Sequence, residues 1–162
     1  MATSTLIQYL ETERYASIPG DPSEAVGTDS LNRRQTETFL AASAVAAGDV
    51  VALDADQTAD GDKAIKVHPA DTGDTARVAV VGVALAAAAA DEKVEVCVRG
   101  VCEATVLANA AEGNLLYITS TAGALDDVEG TAPAASSSPV AVCLETRGGS
   151  TGLTTVFVKK SF

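Results

Sequence analysis

One pattern occurs twice in this chain, and it limits the possible fold more than any single motif does. Val81-Gly82-Val83-Ala84-Leu85 is echoed by Val140-Ala141-Val142-Cys143-Leu144. Val94-Glu95-Val96-Cys97-Val98-Arg99 is echoed by Thr154-Thr155-Val156-Phe157-Val158-Lys159. Upstream of each pair lies a third match, AAGDVVAL from Ala46 and AEGNLLYI from Ala111. The offsets are 65 residues (48 to 113), 59 (84 to 143) and 60 (96 to 156), so the order is kept and only the connections change length. A single β unit of this kind leaves a hydrophobic face open, and two units facing each other can close it. The expectation is one β unit used twice.

From Thr36 onward the texture is all-β. Strands are expected at 36–41, 49–53, 64–67, 77–85, 93–98, 101–107, 115–119, 140–145 and 154–159. Turn signals stand between them: Ala47-Gly48-Asp49, Asp60-Gly61-Asp62, Asp71-Thr72-Gly73-Asp74, Ala122-Gly123 and Arg147-Gly148-Gly149. Short strands separated by glycine-rich turns indicate a barrel or a sandwich. The alanine run 86–90 is expected to form one helical turn, and 130–139 (GTAPAASSSP) a flexible loop. Arg99-Gly100 reads either as a two-residue hairpin or as a bulge in one bent strand. The bent strand is favoured, because arginine is a poor first residue for a primed turn.

Residues 1–35 differ from this body, which occupies 36–162. They mix both charge signs and carry two prolines and two of the three tyrosines. Thr5 and Gln8 have the spacing of a capping box, with Leu6, Ile7, Leu10 and Tyr9 sharing part of a short helical face. Pro19 stops any such helix, and GDPSEAVGTDS reads as extended linker. Fully extended, the segment reaches roughly 115–125 Å. It is either a frayed terminus or a tether that orders on a neighbour. The tether is favoured, because Leu6, Ile7, Tyr9, Leu10 and Tyr15 are more apolar material than a discarded tail needs.

The balance of 11 basic against 22 acidic residues gives a net charge of −11. A phosphate backbone is repelled by such a chain, as is an anionic membrane, so neither nucleic acid nor membrane is expected as a partner. Aromatics are 4% and there is no tryptophan, so the core is built from small side chains, which hints at association. Three cysteines argue against a disulfide framework. The N-terminus lacks the charged lead and apolar run of a signal peptide, so folding in a cytoplasm is expected.

Candidate chemistry is sparse. Asp54, Asp56, Asp60 and Asp62 place four carboxylates in nine residues, enough oxygen for Ca²⁺. The helical calcium loop, however, needs Gly where Ala59 stands and Glu where Ile65 stands. A turn using Asp and Gly for its geometry is the favoured account, and no metal site is expected. Cys97, Cys102 and Cys143 lie in valine-rich strands without CxxC spacing and read as small buried hydrophobes. His68 is the only histidine, and no serine, phosphate-loop or paired-base motif accompanies it. No enzyme and no cofactor are expected.

The order AAGDVVALD, VVGVALAAA, VEVCVRGVCEATV, AEGNLLYITSTAGAL, VAVCLE, TTVFVKK resembles the capsid decoration, or head-stabilisation, proteins of tailed bacteriophages. It covers roughly residues 40–160, and the N-terminal segment departs from the shortest members. The resemblance implies a compact β-barrel or β-tulip-like domain with internal pseudo-duplication, preceded by an extended arm. It implies a virion protein on the outer capsid surface, assembled in the host cytoplasm, that bridges major capsid protein subunits. It further implies a homotrimer without catalytic residues. Leu6, Ile7, Tyr9, Leu10 and Tyr15 are then the capsid contacts. The alternative is a calcium-dependent ligand- or carbohydrate-binding β module using the 54–62 loop.

Overall fold

The computed structural model describes residues 34–72, 79–127 and 139–159. The elements in chain order are β1 (Gln35–Ala41), β2 (Val50–Leu53), α1 (Asp60–Lys63), β3 (Lys66–Pro69), β4 (Val80–Ala84), β5 (Lys93–Val106), β6 (Leu115–Ile118), β7 (Leu125–Asp126), β8 (Ala141–Cys143) and β9 (Gly152–Val158). The fold is all-β, with one four-residue helix among the described residues.

The pairings make two rings. In the first, β1 pairs with β3, β3 with β2, β2 with β4, β4 with β5, and β5 returns to β1. In the second, β5 pairs with β7, β7 with β6, β6 with β8, β8 with β9, and β9 returns to β5. Each ring is a five-stranded barrel, and the two share β5. Even the directions agree, since β1–β3 and β5–β7 are the parallel pairs while every other pairing is antiparallel. Closure leaves neither barrel an open sheet edge of the kind that invites stray pairing.

The repeat holds at single-residue register. Val50 faces Val83 and Val83 faces Cys97 in the first barrel; Leu115 faces Val142 and Val142 faces Phe157 in the second. The turn before each unit's second strand matches too. Gly48 and Gly113 both hold left-handed backbone, at φ 88° and 86°. Their N–H groups donate to Ala84 and Cys143 respectively, both at 2.8 Å. A residue with a Cβ is strained in that region, which accounts for glycine at both places.

β5 is the member common to both barrels. Its even-numbered residues from Val94 to Val106 are buried throughout, as one face of a strand requires. Val94, Val96 and Val98 nevertheless join one core cluster, while Cys102, Ala104 and Val106 join the other. The switch comes at Arg99-Gly100. The register with β1 slips between Gln35 and Thr36, Gly100 adopts φ 109°, and pairing with β9 begins at Gly100 opposite Val158. A bulge with an added twist turns one strand from the first interior into the second. The bent-strand expectation is the structure's answer.

The interiors correspond position by position. Ala41, Val51, Val67, Ala84 and Val96 of the first cluster have Val106, Leu116, Leu125, Cys143 and Val156 as counterparts in the second. Each fully buried valine or leucine contributes about 1.5–3 kcal/mol over leaving it exposed. Long lines of small residues therefore supply what few large aromatics do not.

Three expectations are corrected. The alanine run 86–90 is not a helical turn: Ala88 forms an antiparallel bridge to Val45, with N–H to O distances of 2.9 and 3.0 Å. Closing the barrel mouth outweighs the helix preference of alanine there. Asp60-Gly61-Asp62 is the start of α1, not a strand turn, and β3 begins at Lys66 instead of residue 64. The two-residue β7 was not anticipated.

Candidate functional site

The outer face of the second barrel is its most distinctive surface. Strand alternation points Leu115 and Tyr117 of β6, Val142 of β8, Phe157 and Leu153 of β9, and Val101 of β5 away from the interior. The register aligns Leu115, Val142, Phe157 and Val101 in one row across four strands. Leu115 is 39% exposed and Leu144, beside the row, 41%; Leu153, farther along β9 opposite Thr105, is 46% exposed. Val142, Phe157 and Val101 are half-buried by their neighbours. Of the four large apolar side chains exposed among the described residues, three belong to this barrel, the fourth being Ile65.

The counterpart row in the first barrel runs Val50, Val83, Cys97 and ends at the exposed Thr36. Val50, Val83 and Cys97 are all 0% exposed, and they belong to the cluster that fills the second barrel. The second barrel covers them. Its β6–β7 connection lies against β2: the Val50 N–H donates to the Gly123 carbonyl and the Gly123 N–H to the Ala70 carbonyl, each at 2.9 Å. Thr72 N–H donates to Thr119 at 3.0 Å, and Thr105 N–H to Gly48 at 2.8 Å. Asp49 packs against Gly123, where even a methyl group would meet its carboxylate. Burial there raises the Asp49 carboxyl above its ordinary range, against the lowering effect of the hydrogen bond it accepts from Ala46 N–H at 2.8 Å.

The acidic loop does not converge on a point. Asp54 accepts from the Asp56 N–H at 3.1 Å and from Gln57 Nε2 at 2.7 Å, which is the geometry of a local turn. Asp60 pairs with Lys63 at 3.1 Å, and Asp62 with Lys66 at 3.7 Å. Lys66 also reaches Asp91 at 3.0 Å, an interaction that raises its ammonium above the ordinary lysine range. Among the described residues no group of three or more His, Cys, Asp or Glu is placed to hold a metal ion.

The three cysteines are buried free thiols. Cys97 and Cys102 meet across the β5 bulge. Donation to Cys97, together with burial, pushes the Cys102 thiol well up, while the same contact draws Cys97 down. His68 lies in β3 opposite Ala52.

Leu6, Ile7, Tyr9, Leu10 and Tyr15 lie outside the described residues. The outward apolar row was not singled out in the sequence. Its signal is present, since 153–157 (LTTVF) carries no charge and the echo offsets map the row onto Val50, Val83 and Cys97.

No family model and no curated protein matches the chain. Among solved structures, the crystal structure of the N base of the head fiber gp8.5 in bacteriophage phi29 is similar, with a TM-score of 0.47 and 17% identity. The match covers 79% of this chain and 96% of that one.

Proposed function

We propose that this chain is a structural virion protein of a tailed bacteriophage that decorates the outer capsid surface. In this reading the double barrel stands on the shell, and residues 1–35 run along it to grip major capsid protein subunits through Leu6, Ile7, Tyr9, Leu10 and Tyr15. Copies associate with one another, as a homotrimer, so that several arms engage at once and weak contacts add to a firm attachment. No catalysis and no cofactor belong to the reading.

The observation that carries it is the outer face of the second barrel. An apolar row on a chain of charge −11 suits a protein whose work is contact with other proteins. The order of the sequence motifs and the duplicated β body support the same reading. The acidic balance suits a subunit that stays dispersed until it assembles.

The test uses the full chain and purified capsids of the virus that carries it. Replacing Leu6, Ile7, Tyr9, Leu10 and Tyr15 together by serine should weaken co-sedimentation with capsids at least tenfold while leaving the melting point of the body unchanged. Undiminished sedimentation of the substituted chain removes the arm from the reading. Failure of the unsubstituted chain to bind removes the decoration role itself.

A further inference from the structure

We propose that Cys97 and Cys102 form a redox-sensitive pair, two free thiols brought together by the β5 bulge, which a hydroperoxide converts into a disulfide that locks the joint between the barrels. In a flat strand, residues five apart point to opposite faces and lie roughly 16 Å from each other. Here both side chains belong to the cluster that fills the second barrel. The break in the strand brings this about. The register slips beside Thr36, which faces Cys97, and Gly100 turns to φ 109°. The Cys97 sulfur hangs over that turn, 3.6 Å from the Arg99 carbonyl oxygen and 4.0 Å from that of Gly100. There it meets the Cys102 thiol. The register places Cys143 two strands from Cys102, roughly 10 Å away with Val156 of β9 between them.

The surroundings give the two sulfurs different work. Donation from Cys102 draws the Cys97 thiol down, against its burial and with help from the Arg34 guanidinium, which favours the attacking thiolate. The same contact and burial keep Cys102 protonated beside it. A favoured thiolate with a second thiol at hand is the arrangement of sulfur redox sensors. Cys97 is closed to solvent and Cys102 is 6% exposed, so the oxidant has to be small. The Cys97 thiolate attacks one peroxide oxygen; the O–O bond breaks, hydroxide leaves and Cys97 becomes a sulfenic acid. The Cys102 sulfur then attacks the Cys97 sulfur, the S–S bond forms as the S–O bond breaks, and the departing hydroxide takes the Cys102 proton as water. Two thiols and one hydrogen peroxide thus give one disulfide and two waters, the peroxide gaining the two electrons that the sulfurs lose. Such a pair stays open in a reducing compartment and closes outside it. The inference is independent of the capsid, the arm and self-association.

The test treats the full chain with hydrogen peroxide in native buffer and digests it without reductant, using trypsin and a glutamate-specific protease. Cuts after Glu95, Arg99 and Glu103 place Cys97 on peptide 96–99 and Cys102 on peptide 100–103, both apart from Cys143. The two short peptides should come out joined, two hydrogens lighter than their sum, with Cys143 still open to alkylation. Separate peptides overturn the inference, as do joining that needs prior unfolding in urea and a bond from either cysteine to Cys143. Cys102→Ser should leave Cys97 as a sulfenic acid that dimedone captures, at least about tenfold faster than it captures Cys102 in Cys97→Ser. Equal or reversed rates overturn Cys97 as the attacking sulfur. The joined chain should melt a few degrees above the reduced one, a gain that dithiothreitol abolishes and that Cys102→Ser never shows. A joined chain that melts below the reduced one overturns the lock.

Discussion

Thr154 occupies in the second barrel the place that Val94 occupies in the first. Phe39 faces Val94 across β1 and β5, and Ala104 faces Thr154 across β5 and β9, the registers differing only by the repeat offsets. Both side chains point inward, at 1% and 3% exposure, but the Thr154 hydroxyl has no hydrogen-bond partner.

A buried hydroxyl without a partner costs about 1–3 kcal/mol by mutational measure. Thr154→Val keeps the shape and removes that cost, so stability should rise by about 1–2 kcal/mol and the melting point by a few degrees. Val94→Thr should do the opposite in the first barrel. Urea unfolding of the two variants checks both signs, and a Thr154→Val variant less stable than the parent would refute the account of this position.

Gly48 and Gly113 share a backbone conformation but not an environment. A methyl group on Gly48 would run into the Leu153 side chain and crowd Thr105, whereas one on Gly113 would meet nothing within 4 Å. Gly113→Ala should therefore cost only the left-handed strain, about 1–2 kcal/mol. Gly48→Ala should cost that and about 1–3 kcal/mol more for the clash. Thermal melts of the pair measure the difference, and equal losses would show that Leu153 moves aside freely.

Asp49 and Asn114 are counterparts that cap the same turn by different means. Asp49 accepts directly from Ala46 N–H at 2.8 Å. In the second barrel Asp127 accepts from Ala111 N–H at 3.1 Å and from the Asn114 amide at 2.7 Å. Burial against Gly123 raises the Asp49 carboxyl, so the folded state binds its proton more readily than the unfolded chain does. Stability linked to this group accordingly falls as pH rises through the raised value, and is fullest below the ordinary carboxylate range. Asp49→Asn should melt above the parent at pH 7 and together with it near pH 3. A variant that melts below the parent at pH 7 would mean that the ionised cap outweighs its burial.

Much of this architecture was legible in the residues. The offsets of 65, 59 and 60 survive as strand register, because a β unit keeps its pairing when only its connections change length. The bend at Arg99-Gly100 was legible for a similar reason, since glycine inside a valine strand marks a bulge. Ring closure was not. It depends on the parallel pairs β1–β3 and β5–β7, and the second rests on Val106 facing Leu125 in a strand of two residues with no β-branched side chain. The bridge between Val45 and Ala88 was hidden likewise, because alanine runs carry a helical preference that only tertiary contact overrules. The outward face escaped notice for another reason. Alternation shows that a strand has two sides, but which side another barrel covers is decided between units.

The sharing of β5 makes the molecule indivisible. Residues 93–99 make the first circle's β5 pairings and 100–106 the second's, so a cut at Gly100 would spare both circles yet bare Val50, Val83 and Cys97, and neither half could be expressed alone without an apolar face open to water. Such a body should come apart in a single event, and a force drawn along that common strand would load both halves together.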